Sequence, residues 1–386
     1  MLDGVNVALG ISGSIAAVKV VELAHELRRQ GATVRGVMTE SAQGIIHPWA
    51  VEFATENEVV TEITGRVEHV ELCGREGWAD VLLLAPATAN TVGKIAGAVD
   101  DTPVTTCATT ALGADVPVVI APAMHEPMYD HPGVLDAIDR VESWGVDFVD
   151  PRIDEGKAKI ATEEAIVTAT ARATTEQTLA DSHVVVTAGA TAEAIDPVRI
   201  LTNRASGKTG RAVARACHCR GADVTLVHPG GDVHYAETVT VESAAEMRDA
   251  VVAHTDRDTD AVVSAAAISD YTVEAASEKL RSGERRTLEL EPTPKLLDDV
   301  REAHPDLPIV GFKAETSGDD GAMTEAARSI LDRVGLAFVV ANDASVMGSD
   351  ATRTLFVDEE AVSEFSGSKR ELGAAVAERL AAGVVE

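Results

Sequence analysis

Two short stretches carry residue types suited to holding phosphate. The first, "GISGSIAAVK", sets Gly10, Ser12, Gly13 and Ser14 between a strand-like and a helix-like pattern. Glycine lets backbone N–H groups approach an anion, and a helix N-terminus offers unpaired N–H groups at the positive end of its dipole. The third glycine of a dinucleotide fingerprint is missing, so a mononucleotide phosphate seat and a plain glycine-rich turn both fit. The second stretch, "LTNRASGKTGRAVARA", has Gly207-Lys208-Thr209 where a helix pattern starts. A phosphate-cradling P-loop needs glycine five residues before the Gly-Lys pair. That position is Thr202, and the apolar strand that should feed the loop lies farther upstream, in "HVVVTAG". The P-loop reading fails, and with it the simplest case for an ATPase.

Other strand ends add to the first seat. "VMTES" contributes Thr39 and Ser41, and "APATAN" contributes Thr88 and Asn90. Three strand ends presenting small and hydroxyl residues describe a cavity for a flat, phosphorylated ligand. His69, in "EHVELC", suits a base near neutrality or a structural position. Cys217-His218-Cys219 has metal-ligand types, but helical residues two apart point in different directions. With Cys73 and Cys107, these cysteines read as buried or half-buried thiols, and no disulfide framework is expected in a long chain without a secretory signal.

The elements that must position these residues alternate strand and helix. "VNVALG", "ATVRGVMT", "ADVLLLAPAT", "VPVVIAPAM" and "GVDFVD" read as parallel strands separated by helices, and "ATEEAIVTATARAT" as a closing helix. The pattern then restarts with "HVVVTAG", a helix from Ser206 to Arg220, "ADVTLVH", a helix at "AAEMRDAVVAH" and "DAVVSAAA". "PIVGFKAE", "GLAFVVAND" and a helix from Lys369 follow. This predicts two tandem doubly wound α/β domains, residues 1–175 and 181–386, with the boundary near 174–181. Ligands of such sheets bind at the carboxyl ends of the strands.

The 386 residues are 45% apolar but only 3% aromatic, so Val and Ala carry most of the burial, as buried parallel strands require. The formal charge is −30, and only nine of the 33 basic residues are lysine. So acidic a surface repels nucleic acid and anionic lipid. It fits a cytoplasmic protein of a salt-loving organism, where screening tolerates self-repulsion. The acidity then says little about the substrate. No apolar run approaches the roughly 18 residues of a spanning helix.

"SGSIAAVK", "HVELCG…WADVLLLAPATANTVGKIAG" and "APAMHEPMY" resemble the flavin-dependent phosphopantothenoylcysteine decarboxylases. The resemblance implies a flavodoxin-like first domain binding FMN. Gly13, Ser14 and Thr39 would hold the phosphate, with Thr88 and Asn90 near the ribityl chain and ring, and His69 would be the active-site base. Met124, His125 and Met128 fall in the motif that holds the substrate. His125 stands where the family has an asparagine for the substrate carboxylate, and a histidine can still donate there. The flap that carries a proton-returning cysteine in bacterial members reads "RIDEGKAKIA" here, without cysteine. Lys157 and Lys159 are its candidate donors, against the alternative of solvated surface charges.

"TAGATAEAIDPVRILTNRASGKTGRAVARA" resembles the phosphopantothenate–cysteine ligases. The resemblance implies a Rossmann-like second domain in which Asn203 contacts the activated acyl group. Arg199, Gly207 and Lys208 would lie at the substrate, and Lys279 would stabilise the acyl-nucleotide. Ala265, Ala266, Asp270, Thr293, Pro294, Lys295, Leu296, Phe312 and Lys313 would surround the nucleotide, Asp270 with Mg²⁺. Bacterial relatives carry two lysines at the positions of Ile330 and Val334, for which Lys313, Arg328 or Arg333 can substitute. The whole chain then implies CTP-dependent ligation of 4′-phosphopantothenate to cysteine, followed by FMN-dependent decarboxylation. Relatives suggest homo-oligomers, trimer-based or dodecameric, with ligase-domain dimers. The competing readings are a ligase fused to another FMN-dependent decarboxylase or flavin transferase, or to a flavin-binding regulatory domain. A nicotinamide dehydrogenase is disfavoured by the missing G-x-G-x-x-G.

Overall fold

The computed structural model describes residues 1–154, 157–283, 285–315, 319–343 and 351–384. The chain divides into two compact units, Met1–Thr175 and Glu176–Glu386. In the first, chain order is β1 (Asn6–Ile11), α1 (Val20–Arg29), β2 (Thr33–Met38), α2 (Glu40–Gln43), α3 (Pro48–Thr55), α4 (Glu68–Cys73), β3 (Val81–Ala87), α5 (Ala89–Ala96) and α6 (Pro103–Gly113). Then come β4 (Val118–Pro122), β5 (Met124–His125), α7 (Glu126–Tyr129), α8 (Pro132–Glu142), β6 (Asp147–Phe148), β7 (Arg152–Asp154), β8 (Lys157–Lys159) and α9 (Glu163–Thr174).

Strands β2-β1-β3-β4-β6 form one parallel sheet. All seven residues of β3 are buried, as a strand covered on both faces must be. Leu82 and Leu84 enter the core with Leu72 of α4, Ile95 of α5, Val104 of α6 and Val141 of α8. Strand alternation turns Val81 and Leu83 the other way, to the side where α1 and α9 pack together. The reversal of strand order falls between β1 and β3, the crevice where such sheets receive ligands.

The second unit runs β9 (His183–Thr187), β10 (Ala192–Ala194), β11 (Ile200–Thr202), α10 (Lys208–Cys219), β12 (Asp223–His228), β13 (Glu237–Thr240), α11 (Ala244–His254), β14 (Ala261–Ser264), β15 (Tyr271–Val273) and β16 (Leu290–Pro292). It continues with α12 (Leu296–Ala303), β17 (Ile309–Glu315), α13 (Asp320–Val334), β18 (Phe338–Asp343), β19 (Ala351–Val357), β20 (Val362–Ser368) and α14 (Lys369–Val384). The sheet order is β13-β12-β9-β14-β17-β18-β19-β20. It is parallel as far as β18, and β19 and β20 extend it antiparallel. Adjacent residues divide between two cores. Val186, Val263, Val310 and Val340 pack under α10 and α14. Val185, Val262, Ile309 and Val339 pack under α11, α12 and α13.

Two doubly wound sheets therefore stand in tandem, with three local differences from expectation. The helix assigned from Ser206 begins at Lys208, because Gly207 adopts φ 72° and caps it in the left-handed region. Strand β14 stops at Ser264, releasing Ala265–Ala267 as a loop. The β19–β20 hairpin and the ribbons β10–β11, β15–β16 and β5-β8-β7 were not anticipated, being short or largely polar. All four cysteines are buried. The Cys107 thiol is hydrogen-bonded to Cys73, and that contact and burial push its pKa upward. Burial pushes Cys217 up to about 12. Among the described residues, no helix is long and apolar enough to cross a membrane.

Candidate functional site

In the first unit, the strand ends on either side of the β1/β3 reversal are tied together by hydroxyl groups. Ser12 Oγ donates to the Pro86 carbonyl at 2.7 Å and accepts from the Thr88 N–H at 3.0 Å. Ser14 Oγ donates to the Ala123 carbonyl at 3.1 Å, and accepts from Ala16 N–H as the cap of a short 3-10 turn. Thr39 Oγ1 accepts from Ala42 N–H and lies 3.1 Å from Ser41 Oγ. Thr88 caps α5 through Thr91 N–H. A Cβ on Gly13 would stand 2.4 Å from Ser41 Oγ and 2.6 Å from Ser41 Cβ. Only glycine lets these two turns close on each other, leaving the backbone bare where an anion would approach. Ser14, Thr39 and Thr88 are thus brought together with Gly13, while Asn90 lies exposed as the second residue of α5.

The motif of Met124 and His125 forms β5, which pairs antiparallel with β8: Met124 stands opposite Ala158, and His125 opposite Lys157. Strand β8 of the cysteine-free segment is therefore laid along Met124 and His125 by backbone pairing. Met128 follows on α7, 48% exposed. His69 stands on α4, one helical turn before Cys73. Its Nδ1 is buried and has no hydrogen-bond partner. An orphaned buried nitrogen costs stability unless a ligand completes it. Beside it, Glu68 is held below the usual carboxylate range by the Thr64 hydroxyl and N–H. A bare glycine turn with hydroxyls beside it fits the phosphate of a flavin mononucleotide, and the same unit holds an unpaired imidazole nitrogen.

In the second unit a cavity of about 560 Å³ opens at the carboxyl ends of β9, β14, β17 and β18. Asn203, Gly207, Lys208, Ala265, Ala266, Asp270, Thr293, Pro294, Lys295, Leu296, Phe312 and Lys313 all line it. The released loop after β14 is held by three threonines. Ala266 N–H donates to Thr187 Oγ1 at 3.1 Å and Ser269 N–H to Thr191 Oγ1 at 2.8 Å, while Thr293 Oγ1 donates to the Ser269 carbonyl at 2.5 Å. Asn203 Nδ2 donates to the Ala267 carbonyl at 2.6 Å, and its Oδ1 accepts from Ala205 N–H at 3.0 Å. Each end of that amide keeps one further hydrogen-bonding position. A Cβ on Gly207 would lie 2.9 Å from Gly189 Cα, so the turn after β9 and the α10 N-terminus meet backbone to backbone. That close approach is what the opening Gly-Lys-Thr stretch encodes.

Arg199 and Lys279 do not line the cavity. Asp196 accepts from Val198 N–H at 2.8 Å, Arg199 N–H at 2.9 Å, Arg199 Nε at 2.9 Å, Arg199 Nη2, and Leu280 N–H at 3.0 Å. The turn thus clasps the residue next to the exposed Lys279. Of the two positions where bacterial relatives carry lysine, Ile330 lines the cavity and Val334 lies in the core; of the candidate substitutes, Lys313 and Arg333 line the cavity. Arg328 lies instead on a groove along α13. Arg333 is paired with Asp298, and Lys295 with Asp270 at 3.6 Å. No cluster of three His, Cys, Asp or Glu side chains able to hold a metal occurs among the described residues. Sequence reasoning missed Thr352, Thr354 and Lys369 in the cavity wall. Lysine scarcity was the signal that could have found the last.

Residues 1–175 match the Flavoprotein family, and residues 179–384 match the DNA/pantothenate metabolism flavoprotein C-terminal domain. A flavoprotein-family domain with its crevice at β1/β3 is thus followed by a second α/β domain of a family tied to pantothenate metabolism. The chain is 48% identical to the coenzyme A biosynthesis bifunctional protein CoaBC of Thermococcus kodakarensis, over 98% of this chain and 94% of that one. It is 34% identical to the CoaBC of Methanocaldococcus jannaschii, with 98% and 94% covered, and 36% identical to that of Bacillus subtilis, with 96% and 93% covered. The chain belongs to the family of bifunctional coenzyme A biosynthesis proteins, CoaBC.

Proposed function

We propose that the chain makes 4′-phosphopantetheine in two steps: CTP-dependent joining of 4′-phosphopantothenate to cysteine, then FMN-dependent decarboxylation of the product. The observation that carries this reading is the pair of separate crevices, one hydroxyl-lined at β1/β3 and one lysine-lined at the ends of β9 and β14. In the second crevice, Ala265, Ala266, Thr293–Leu296 and Phe312 surround the nucleotide, and Lys208, Lys295 and Lys313 balance its charge. Asp270, lacking further acidic partners, holds Mg²⁺ only together with nucleotide phosphates. Asn203 meets the acyl group from the cavity mouth. Arg199, fastened to Asp196, holds Lys279 beside that mouth.

In the first crevice, Gly13, Ser14 and Thr39 hold the phosphate of FMN, and Thr88 and Asn90 flank its chain and ring. Bound FMN would supply the two-electron oxidation of the cysteine thiol that makes loss of CO₂ facile, and would give the same two electrons back to restore the thiol. His69 accepts the proton released in that oxidation. His125, between Met124 and Met128, donates to the substrate carboxylate, and Lys157 or Lys159 returns the final proton. The cysteine-free flap and His125 also suit a related FMN-dependent decarboxylase acting on a different thiol. A coupled assay separates these readings. Full-length protein with 4′-phosphopantothenate, cysteine and either CTP or ATP is followed for pyrophosphate and for CO₂. Pyrophosphate without CO₂ from a yellow, flavin-loaded preparation would leave only the ligase half of this reading.

Self-association through the first unit belongs to the same proposal. Trp49 and Phe53, one turn apart on α3, are 74% and 75% exposed, and Ile15 and Val18 are 77% and 57% exposed. Apolar ridges of this size are a cost to a monomer. The double change Trp49→Glu, Phe53→Glu is expected to reduce the mass measured by light scattering from a trimer or larger to a smaller species. An unchanged mass would place the interface elsewhere.

A further inference from the structure

The nucleotide cavity has a wall built from elements that the reading above leaves unused. Along β18, Phe338 and Val340 lie in the core beneath α10 and α14. The next residue on that face, Asn342, lines the cavity. β19 runs antiparallel beside it, with Thr354 opposite Asn342. On the same face of β19, Phe356 is in the core, whereas Thr354 and Thr352 line the cavity. The stripe therefore turns from apolar to polar at the point where the crevice begins. Thr354 is only 1% exposed, and its Oγ1 is buried with no hydrogen-bond partner. A buried hydroxyl without a partner lowers stability, so the fold is spending stability at a ligand-facing position.

Charge points the same way. α14 is sixteen residues long and begins at Lys369, which lines the cavity. Ser368 and Glu371 cap it reciprocally: Glu371 N–H donates to Ser368 Oγ at 3.2 Å, and Ser368 N–H to Glu371 Oε2 at 2.7 Å. Lys208, Lys295, Lys313 and Lys369 make four of the chain's nine lysines around one cavity, in a chain of net charge −30. Such a concentration selects for a polyanion.

We propose that Thr352, Thr354 and Lys369 form a subsite for the terminal phosphates of the nucleotide and for the pyrophosphate that leaves. The assignment rests on the nucleotide reading of this cavity. When a carboxylate oxygen of the substrate bonds to the α-phosphorus, the bond from that phosphorus to the bridging oxygen breaks. Its electron pair departs on the pyrophosphate. The Lys369 ammonium offsets the charge that develops there, and Thr354 Oγ1 gains the acceptor it lacks in the free protein.

The test uses the full-length protein, titrated separately with inorganic pyrophosphate and CTP, together with thermal unfolding of the ligand-free chain. Thr354→Val keeps the shape and removes the orphaned hydroxyl. It is expected to unfold no earlier than wild type, yet to bind pyrophosphate about five-fold more weakly. Thr354→Ser keeps the hydroxyl and should retain wild-type affinity. Lys369→Gln should weaken pyrophosphate binding roughly ten- to a hundred-fold, with a smaller dependence on salt. If Thr354→Val unfolds early, the Ser and Gln variants carry the test. A wild type that binds both ligands while Thr354→Val and Lys369→Gln bind them equally well overturns the subsite alone. A wild type that binds neither overturns the subsite and the nucleotide reading together.

Discussion

Replacing His69 with asparagine is expected to slow CO₂ release from 4′-phosphopantothenoylcysteine by roughly a hundred- to ten-thousand-fold, the range usual for loss of a positioned base. Ligation in the same preparation should be unaffected, because the two crevices belong to different sheets. The reasoning starts from α4, which holds the imidazole one turn before the buried Cys73 and leaves Nδ1 buried without a partner. Asparagine occupies similar space and keeps hydrogen-bonding capacity, but cannot take up a proton near neutrality. Two controls separate a base from a scaffold: flavin absorbance per chain and the unfolding temperature should both stay at wild-type values. Decarboxylation at the wild-type rate would remove His69 from the mechanism. Loss of flavin together with rate would make it a binding residue.

Asn203→Asp should reduce pyrophosphate release in the ligation assay by about a hundred-fold or more, as removal of a single polar group facing developing charge commonly does. The geometry makes the change doubly unfavourable. Nδ2 donates to the Ala267 carbonyl at 2.6 Å, and a carboxylate oxygen there would face that carbonyl without a proton between them. It would also set a negative charge at the mouth of a cavity lined by four lysines, where it would compete with the nucleotide. The decarboxylase half again serves as an internal control: CO₂ release from pre-formed substrate should persist. Full ligation by this variant would reduce Asn203 to a loop-fixing residue, a role its bond to Ala205 N–H already fills.

Much of the architecture was legible because it is written in strand burial. A parallel sheet covered on both faces needs near-continuous apolar runs, and β1, β3, β9 and β14 supply them. The glycines of close approach were legible for a related reason. Gly13 and Gly207 stand where two backbones approach within side-chain distance, and small residues at strand ends mark such places. What escaped notice was the far wall of the second cavity. Thr352 and Thr354 lie in a strand that pairs antiparallel at the sheet edge, and β20 beside it is too polar to read as core. Lys369 belongs to a helix that begins some 160 residues after α10, and only the fold sets the two N-termini around one space. Arg199 and Lys279 show the converse. Their motifs were plain, yet the side chain of one is occupied by Asp196 and the other lies exposed beyond Leu280, so neither enters the cavity.

The Asp196 corner has a consequence for acid behaviour. The Arg199 guanidinium, with backbone N–H groups behind it, holds this carboxyl well below its ordinary 3.8. A folded-state pKa beneath the unfolded one contributes stability that is fully present above the unfolded value and drains away only as acid protonates the native group. At every pH where metabolism runs, the corner is therefore as constant as a rivet. Between mildly acidic and mildly alkaline solution, protonation of Asp196 contributes nothing to any change in the stability of this turn.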